Sequence, residues 1–319
     1  MNGIPLVLAG AVLSQVQPPT FSAAVESVYV DASVYDKKGP ITGLTSADFE
    51  LHDNDVRQRV ELVALESLPL TTLLVLDTSA NVDGPKLEQL KRAGQALLQR
   101  VRAGDETALV TFGHEIRVDV PRTTEAPLVG RALDALRAGG STAVYDALYA
   151  ATMLAPERGR SVIVLFTDGE DNLSALDLAD VLRVLERSNV MVHAVGVRRS
   201  GGASRVAEGF WGSGRDAQLY NVMWGHGPER VDDTGGSEPV RTLQRLAEST
   251  GGRFWAASDP HALAGAFTAI ADAMRARYVL RYDPEGVKRE GRHSLAVRLT
   301  RRGGTVHCRK AYFVNSATP

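Results

Sequence analysis

The sequence predicts an α/β fold: a doubly wound, mostly parallel sheet, with a small β-sandwich formed by the N- and C-terminal strands. Three observations lead there. Two continuous, mostly apolar runs, TTLLVL at 71–76 and SVIVLFT at 161–167, have strand length without polar alternation, which suits strands covered on both faces. Stretches of helical spacing separate these and similar runs across the middle of the chain. The two ends alternate apolar and polar residues with period two instead, the mark of half-buried antiparallel strands.

From the start, residues 1–20 hold an apolar stretch, IPLVLAGAVL at 4–13, which is too short to span a bilayer as a helix. It has the length of the apolar core of an export signal and small residues around it, but no Lys or Arg precedes it. The expectation is an exported chain, periplasmic or secreted, with no membrane span once processed; without that signal it would be cytoplasmic. Residues 21–68 read as β: SVYVDASVYD at 27–36, then Phe49–His52 and Arg57–Leu65 as short strands around the turn residues DND.

The α/β unit is expected over 69–276. After TTLLVL, Lys86–Val101 places Leu87, Leu90, Gly94, Leu97, Leu98 and Val101 on one helical face. ALVTF at 108–112 is a short buried strand; Leu128–Leu136 and Val144–Leu154 read as helices. After the 161–167 strand come a helix at Leu176–Leu185 and a strand at Val190–Val197. Residues 198–236, rich in Gly, Ser and charge with scattered aromatics, read as a long inserted loop. Helical spacing resumes at Pro239–Ser249 and ends at Gly251-Gly252, good C-cap chemistry. A last sheet strand is expected at Phe254–Ala256 and a helix at Pro260–Arg275. Residues 277–319 return to β, with strands at Tyr278–Tyr282, Ser294–Leu299 and Thr305–Val314.

Bulk properties narrow the function. The net charge of −2 gives no general attraction to nucleic acid. Cys308 is the one cysteine, so neither an internal disulfide nor a multi-cysteine zinc site can form. His114, His193 and His261 show no ligand spacing.

Oxygen-bearing residues gather where strands end. Asp77 follows LLVL, and Ser79 and Asn81 follow it at alternate positions. Asp168 follows VLFT. The loop GGST at 139–142 brings Thr142 to the start of another helix. Ligands of open α/β sheets sit beyond the carboxyl ends of the strands. Two carboxylates, two hydroxyls and an amide oxygen suit a small hard cation, Mg²⁺ first and Mn²⁺ or Ca²⁺ next. Taken singly, Asp77, Ser79 or Thr142 reads as a helix cap, Asp146 as a charge favouring its helix N-terminus, and Glu170, Asp171 and Asn172 as a solvated loop.

Together, the five residues resemble the metal-ion-dependent adhesion site of the von Willebrand factor type A (vWA) domain. That site is written D-x-S-x-S, then Thr in a Gly-rich loop, then Asp after a later strand. The flanks VYDKKGPITGLTSADFEL and RYVLRYDPEG…RHSLAVRLTRRGG…CRKAYF are similar to those of the bacterial, acidobacterial-type VWFA-related family. The resemblance implies direct ligation by Ser79 and Asn81, Thr142 acting directly or through water, and Asp77 and Asp168 doing likewise while supplying charge. It also implies an open coordination position for an Asp or Glu of a partner protein. Asn81 departs from the pattern, standing where the family usually has Ser.

The function expected is therefore a cation-dependent, adhesion-type protein-binding module rather than an enzyme. One alternative is a structural interaction domain whose metal site has degenerated. Another is a Mg²⁺-dependent phosphoryl-transfer hydrolase, but the second acid of its D-x-D would fall at Ser79. No G-x-x-x-x-G-K, no G-x-G-x-x-G after the first strand of the α/β unit and no G-x-S-x-G occurs.

Overall fold

A computed structural model of the chain describes residues 27–314, apart from 198–237 and short stretches at 37–38, 64–68, 157–158, 169, 258–259, 289 and 301–302. The N-terminal apolar stretch and the whole of the inserted loop at 198–236 lie outside the described residues. Among those described, no helix is long and apolar enough to cross a membrane.

The elements follow in chain order. Strands β1 (Val28–Asp36), β2 (Gly39–Pro40), β3 (Phe49–Asp53), β4 (Val56–Gln58) and β5 (Glu61–Val63) precede the α/β unit. That unit comprises β6 (Leu70–Asp77), α1 (Pro85–Leu98), β7 (Glu106–Phe112), β8 (Ile116–Thr123), α2 (Ala126–Ala135), α3 (Val144–Leu154) and β9 (Arg160–Thr167). It continues with α4 (Leu178–Arg187), β10 (Val190–Val197), α5 (Glu238–Ser249), β11 (Phe254–Ala257) and α6 (Pro260–Arg275). Strands β12 (Arg277–Tyr282), β13 (Gly291–Leu299), β14 (Thr305–Cys308) and β15 (Ala311–Val314) close the chain.

The six-stranded sheet has the order β11-β10-β9-β6-β7-β8. All pairings are parallel except β7 with β8. Every residue of β6 and β9 is buried, which explains their unbroken apolar runs. Alternate residues serve opposite cores. Leu74 and Leu76 pack with α1, α2 and α6, while Leu73 and Val75 pack with α3, α4 and α5. From β6 the chain builds outward to β7 and β8, then returns to lay down β9, β10 and β11 on the other side. The order therefore reverses between β6 and β9, and the crevice beyond their carboxyl ends is the place where such sheets bind ligands.

Strand β8 has no counterpart in the sequence reading. Ile116, Val118 and Val120 do alternate with polar residues, but Pro121 interrupts the run. A proline is tolerated here because β8 is an edge strand. Helix α1 stops at Leu98, short of the expected Val101, although Val101 still packs against the core.

The terminal strands form two facing sheets. One has the order β14-β1-β12-β5, with β2 paired to β1; the other runs β15-β13-β3-β4. Each mixes strands from both ends of the chain around Val30, Ala32, Val34, Leu51, Leu280 and Leu295. Two expected single strands are split. Residues 57–65 divide into β4 and β5, and residues 305–314 into β14 and β15, with the halves in different sheets. Period-two alternation continues through a crossing between sheets, so periodicity alone does not register the break. The turn between β3 and β4 holds Asn54 and Asp55 at φ 45° and 65°, residue types that tolerate this region.

The sandwich docks on the amino-terminal edge of the central sheet. Arg160 at the start of β9 bonds Asp31 of β1 at 2.8 Å, and Arg309 donates to the carbonyl of Ser188 just before β10. The carboxyl-terminal edge is left to the loops.

Candidate functional site at the sheet switch point

Asp77 ends β6 fully buried. Its Oδ1 accepts the N–H of Ser79 at 2.8 Å and its Oδ2 accepts the hydroxyl of Thr167 at 2.7 Å. The first bond curls the chain as it leaves the sheet, and the second ties the ends of β6 and β9 together. Thr78 anchors the same loop, its N–H and hydroxyl both donating to the carbonyl of Phe112 at the end of β7. Ser79 stands at the N-cap of a short 3-10 turn, Ala80–Val82, yet its side chain makes no cap bond. Its buried Oγ makes no well-formed hydrogen bond among the described residues, although it lies close enough to the Asp77 carboxylate to ease its charge. Ordinary capping therefore does not account for Ser79.

The second loop is laced to the first. Gly139 donates its N–H to the carbonyl of Thr78 at 2.7 Å, and the carbonyl of Gly140 accepts from Ala80 at 3.1 Å. Gly140 has φ +87°, and a Cβ there would lie 2.7 Å from the ring of His114. Glycine is required on both counts. Thr142 follows, buried, and its N–H donates to Oδ1 of Asn172 at 2.9 Å. Its carbonyl accepts from Asn172 and Leu173, which ties in the third loop.

Asp168 begins that third loop. Its Oδ1 accepts the N–H of Glu170 at 3.2 Å, and its Oδ2 lies 3.2 Å from Nδ2 of Asn81. Burial first, then the neighbouring charge of Asp77, pushes its carboxyl up to about 6. Burial also raises Asp77 above the ordinary carboxylate range, against the hydrogen bonds it accepts. Two carboxylates with raised proton affinity at a buried sheet edge, one of them pushed up by the other's charge, are a charge problem that a bound cation relieves.

Asp77, Asn81 and Asp168 are thus brought together, and hydrogen-bonded loops hold Ser79 and Thr142 around them. A buried hydroxyl without a well-formed hydrogen bond beside two crowded carboxylates fits a hard divalent cation. The donors would be Asp77, Ser79, Asn81, Thr142 and Asp168. Among the described residues no cluster of three or more His, Cys, Asp or Glu offers another metal centre.

Sequence reasoning missed the residues that shape these loops. Thr167 holds Asp77. Asp171 accepts from the N–H of Tyr145 at 3.0 Å and the hydroxyl of Ser174 at 2.6 Å. Asp146 accepts from the N–H groups of Ala175 and Leu176, both at 2.9 Å. Asp171 and Asn172 therefore brace the third loop instead of being merely solvated, and Asp146 does more than favour a helix dipole. The signal available was a run of short polar residues, which sequence does not separate from an ordinary loop. His193, by contrast, is buried far from these loops in β10.

Residues 72–170 match the family model for the von Willebrand factor type A domain. The chain carries a vWA domain. The match runs from β6 to the start of the third loop and so contains all five oxygen donors. The uncharacterized protein sll0103 of Synechocystis is 32% identical over 123 residues, 36% of this chain and 29% of its own length. Inter-alpha-trypsin inhibitor heavy chain H2 of Mus musculus is 24% identical over 150 residues, covering 42% of this chain and 16% of its own. The chain thus spans under a third of the length of these curated relatives. A solved von Willebrand factor type A protein from Catenulispora acidiphila superposes with a TM-score of 0.50 at 16% identity, covering 87% of this chain and 76% of its own. That likeness is one of fold, and it extends beyond the vWA domain into the flanking strands.

Proposed function

We propose that the protein is a divalent-cation-dependent protein-binding module, in which Asp77, Ser79, Asn81, Thr142 and Asp168 hold Mg²⁺ and an acidic side chain of a partner protein completes the coordination. The observation that carries this reading is the position of Asp77 at the end of β6 and of Asp168 just past the end of β9, the two strands that flank the sheet's switch point, with the buried Ser79 hydroxyl, unpartnered among the described residues, beside them. The bound ion supplies a positive, directional anchor for a carboxylate. The chain's own residues orient it: Thr167 and the Ser79 N–H fix the Asp77 carboxylate, Glu170 and Asn81 fix that of Asp168, and the Gly140 carbonyl holds the first loop. The surrounding rim, including the exposed His114 and Glu115, would set partner specificity. Mn²⁺ or Ca²⁺ could replace Mg²⁺. Export, carried by the segment at 4–13, belongs to the same proposal, as does the absence of enzymatic activity.

A second reading has one specific observation in its favour. The Asn81 amide already donates to Asp168 at 3.2 Å and so offsets part of the charge a cation would offset. On that reading the site is degenerate and the domain binds partners without metal. Calorimetric titration of Mg²⁺ into the wild type and Asp77→Ala separates the two. Binding in the wild type alone supports the metal module; silence in both supports the degenerate site. Capture of an envelope protein that is lost on adding a chelator would identify the partner.

A further inference from the structure

The face of β1 that looks away from the sandwich core carries Asp31, Ser33 and Tyr35, while Val30, Ala32 and Val34 point into that core. Arg277 is the cross-strand partner of Ser33 and is 2% exposed. One oxygen of Asp31 serves two guanidinium groups, that of Arg160 at 2.8 Å and that of Arg277 at 3.4 Å. Among the described residues, Nε and one terminal nitrogen of Arg277 remain buried without a hydrogen-bond partner. So do Oγ of Ser33 and the hydroxyl of Tyr35.

The vWA domain faces this cluster with more donors. His193 accepts the N–H of Arg253 at Nδ1, 3.1 Å away, which leaves the ring proton on Nε2. That Nε2–H is also buried and unpartnered among the described residues. The Arg253 guanidinium stacks over the ring of Tyr35 at 4.2 Å, closing the circuit from Arg277 through Ser33 and Tyr35 to Arg253 and His193. Burial first, then the charges of Arg277 and Arg253, hold His193 well below its ordinary range, so it stays neutral. The cluster has a surplus of positive charge and of N–H and O–H groups. A buried charge of this kind needs a counter-charge, and buried donors need acceptors. One acceptor species meets both needs: an anion. These groups are buried, and of the common anions a halide demands the least volume.

We propose that the junction between the vWA domain and the β-sandwich is a binding site for a small inorganic anion of chloride size, held by Arg277, His193, Ser33 and Tyr35. The site lies at the opposite edge of the sheet from the five oxygen donors and stands independently of the metal reading. Its role is to clamp the two units, since its donors come from both.

Thermal unfolding of the whole chain tests it, in sodium chloride against sodium gluconate at matched ionic strength. Chloride is expected to raise Tm saturably, by on the order of 5 °C once the site is filled, and gluconate not at all. Arg277→Gln should lose the chloride-specific rise. If that variant does not fold, Ser33→Ala and Tyr35→Phe carry the comparison, each requiring more chloride for half the effect. Crystals grown in bromide should show an anomalous peak within hydrogen-bond distance of Arg277 and His193. An equal rise in both salts, an undiminished rise in all three variants, or water alone at that position in bromide crystals would overturn the proposal.

Discussion

Nδ2 of Asn81 lies 3.2 Å from Oδ2 of Asp168, so an uncharged amide stands against the more exposed of two crowded acids. A half-turn of that amide exchanges its nitrogen for its oxygen and converts a donor toward Asp168 into a donor toward a cation. The wild-type side chain must give up the Asp168 bond to do so, and a serine would have no such bond to break. Asn81→Ser is expected to bind Mg²⁺ at least as tightly as the wild type. Asn81→Leu, which supplies no oxygen, should weaken binding by roughly tenfold or more. Calorimetry on the three proteins checks the order, and equal affinity for Leu and Asn would remove residue 81 from the site.

Asp77→Asn separates metal binding from stability. Burial makes the ionised carboxylate costly in the metal-free protein. An asparagine keeps an oxygen for the Ser79 N–H, and the Thr167 hydroxyl can turn to accept from its amide. The variant should therefore lose Mg²⁺ binding while its metal-free Tm rises by roughly 2–4 °C. A fall in the metal-free Tm would show that the charge itself stabilises the loop.

Acid should weaken the site through Asp168. Its carboxyl titrates at about 6 in the folded, metal-free protein, above the ordinary value of 3.8. A metal needs the ionised form. Mg²⁺ affinity should fall by roughly tenfold between pH 7 and pH 5, the loss setting in as pH drops through 6. The linkage to folding has the opposite sign. With its folded-state value raised, the folded protein takes up a proton before the unfolded chain does, so this group adds stability as pH falls from 7 toward 4 and withdraws it as pH rises through 6. A Mg²⁺ affinity that is flat from pH 7 to 5 would contradict the assignment.

The sandwich holds its own buried polar centre. Asp53 is fully buried; it accepts from the hydroxyls of Tyr282 and Tyr312 at 2.9 and 2.8 Å and lies 2.8 Å from Nδ1 of His293. Removing it takes away the acceptor that three polar groups share, leaving them the Tyr282–Tyr312 contact at 3.3 Å and the Tyr312–His293 contact at 3.1 Å. Asp53→Ala should cost about 3–5 kcal/mol in urea unfolding, while Tyr312→Phe, which removes one donor, should cost about 1 kcal/mol. Near-equal costs would show that the network does not centre on Asp53.

Much of this was legible in the chain. Continuous apolar runs at 71–76 and 161–167 and the helical spacing between them announce a parallel sheet, because strands buried on both faces have no place for polar residues. The five candidate oxygen donors stand out by position, directly after strands or before helices, and all lie within the residues 72–170 that the family model matches. The shaping contacts were hidden. Thr167, Asp171, Asn172 and Asp146 are ordinary polar residues whose roles come from bonds between chain segments up to 90 residues apart. The strand breaks at Arg59-Val60 and Arg309-Lys310 were hidden too, since a strand that changes sheets keeps its alternation.

By itself the sequence determined most of the segments that fold as strand or helix, β8 and the two strand breaks apart, and which residue types could gather at the sheet edge, because both follow from local periodicity and donor chemistry. Only the tertiary structure decided that β6 and β9 are neighbours, which sets Asp77 and Asp168 across one crevice and turns the Asn81 amide onto Asp168. It alone set Arg277, Ser33 and His193 at one buried junction, residues that come together only when the two ends of the chain pair and dock. The physical reason is the same in both cases: charge and hydrogen bonding act over a few ångströms of space, and strand order, which sequence spacing does not encode, determines who lies within that range.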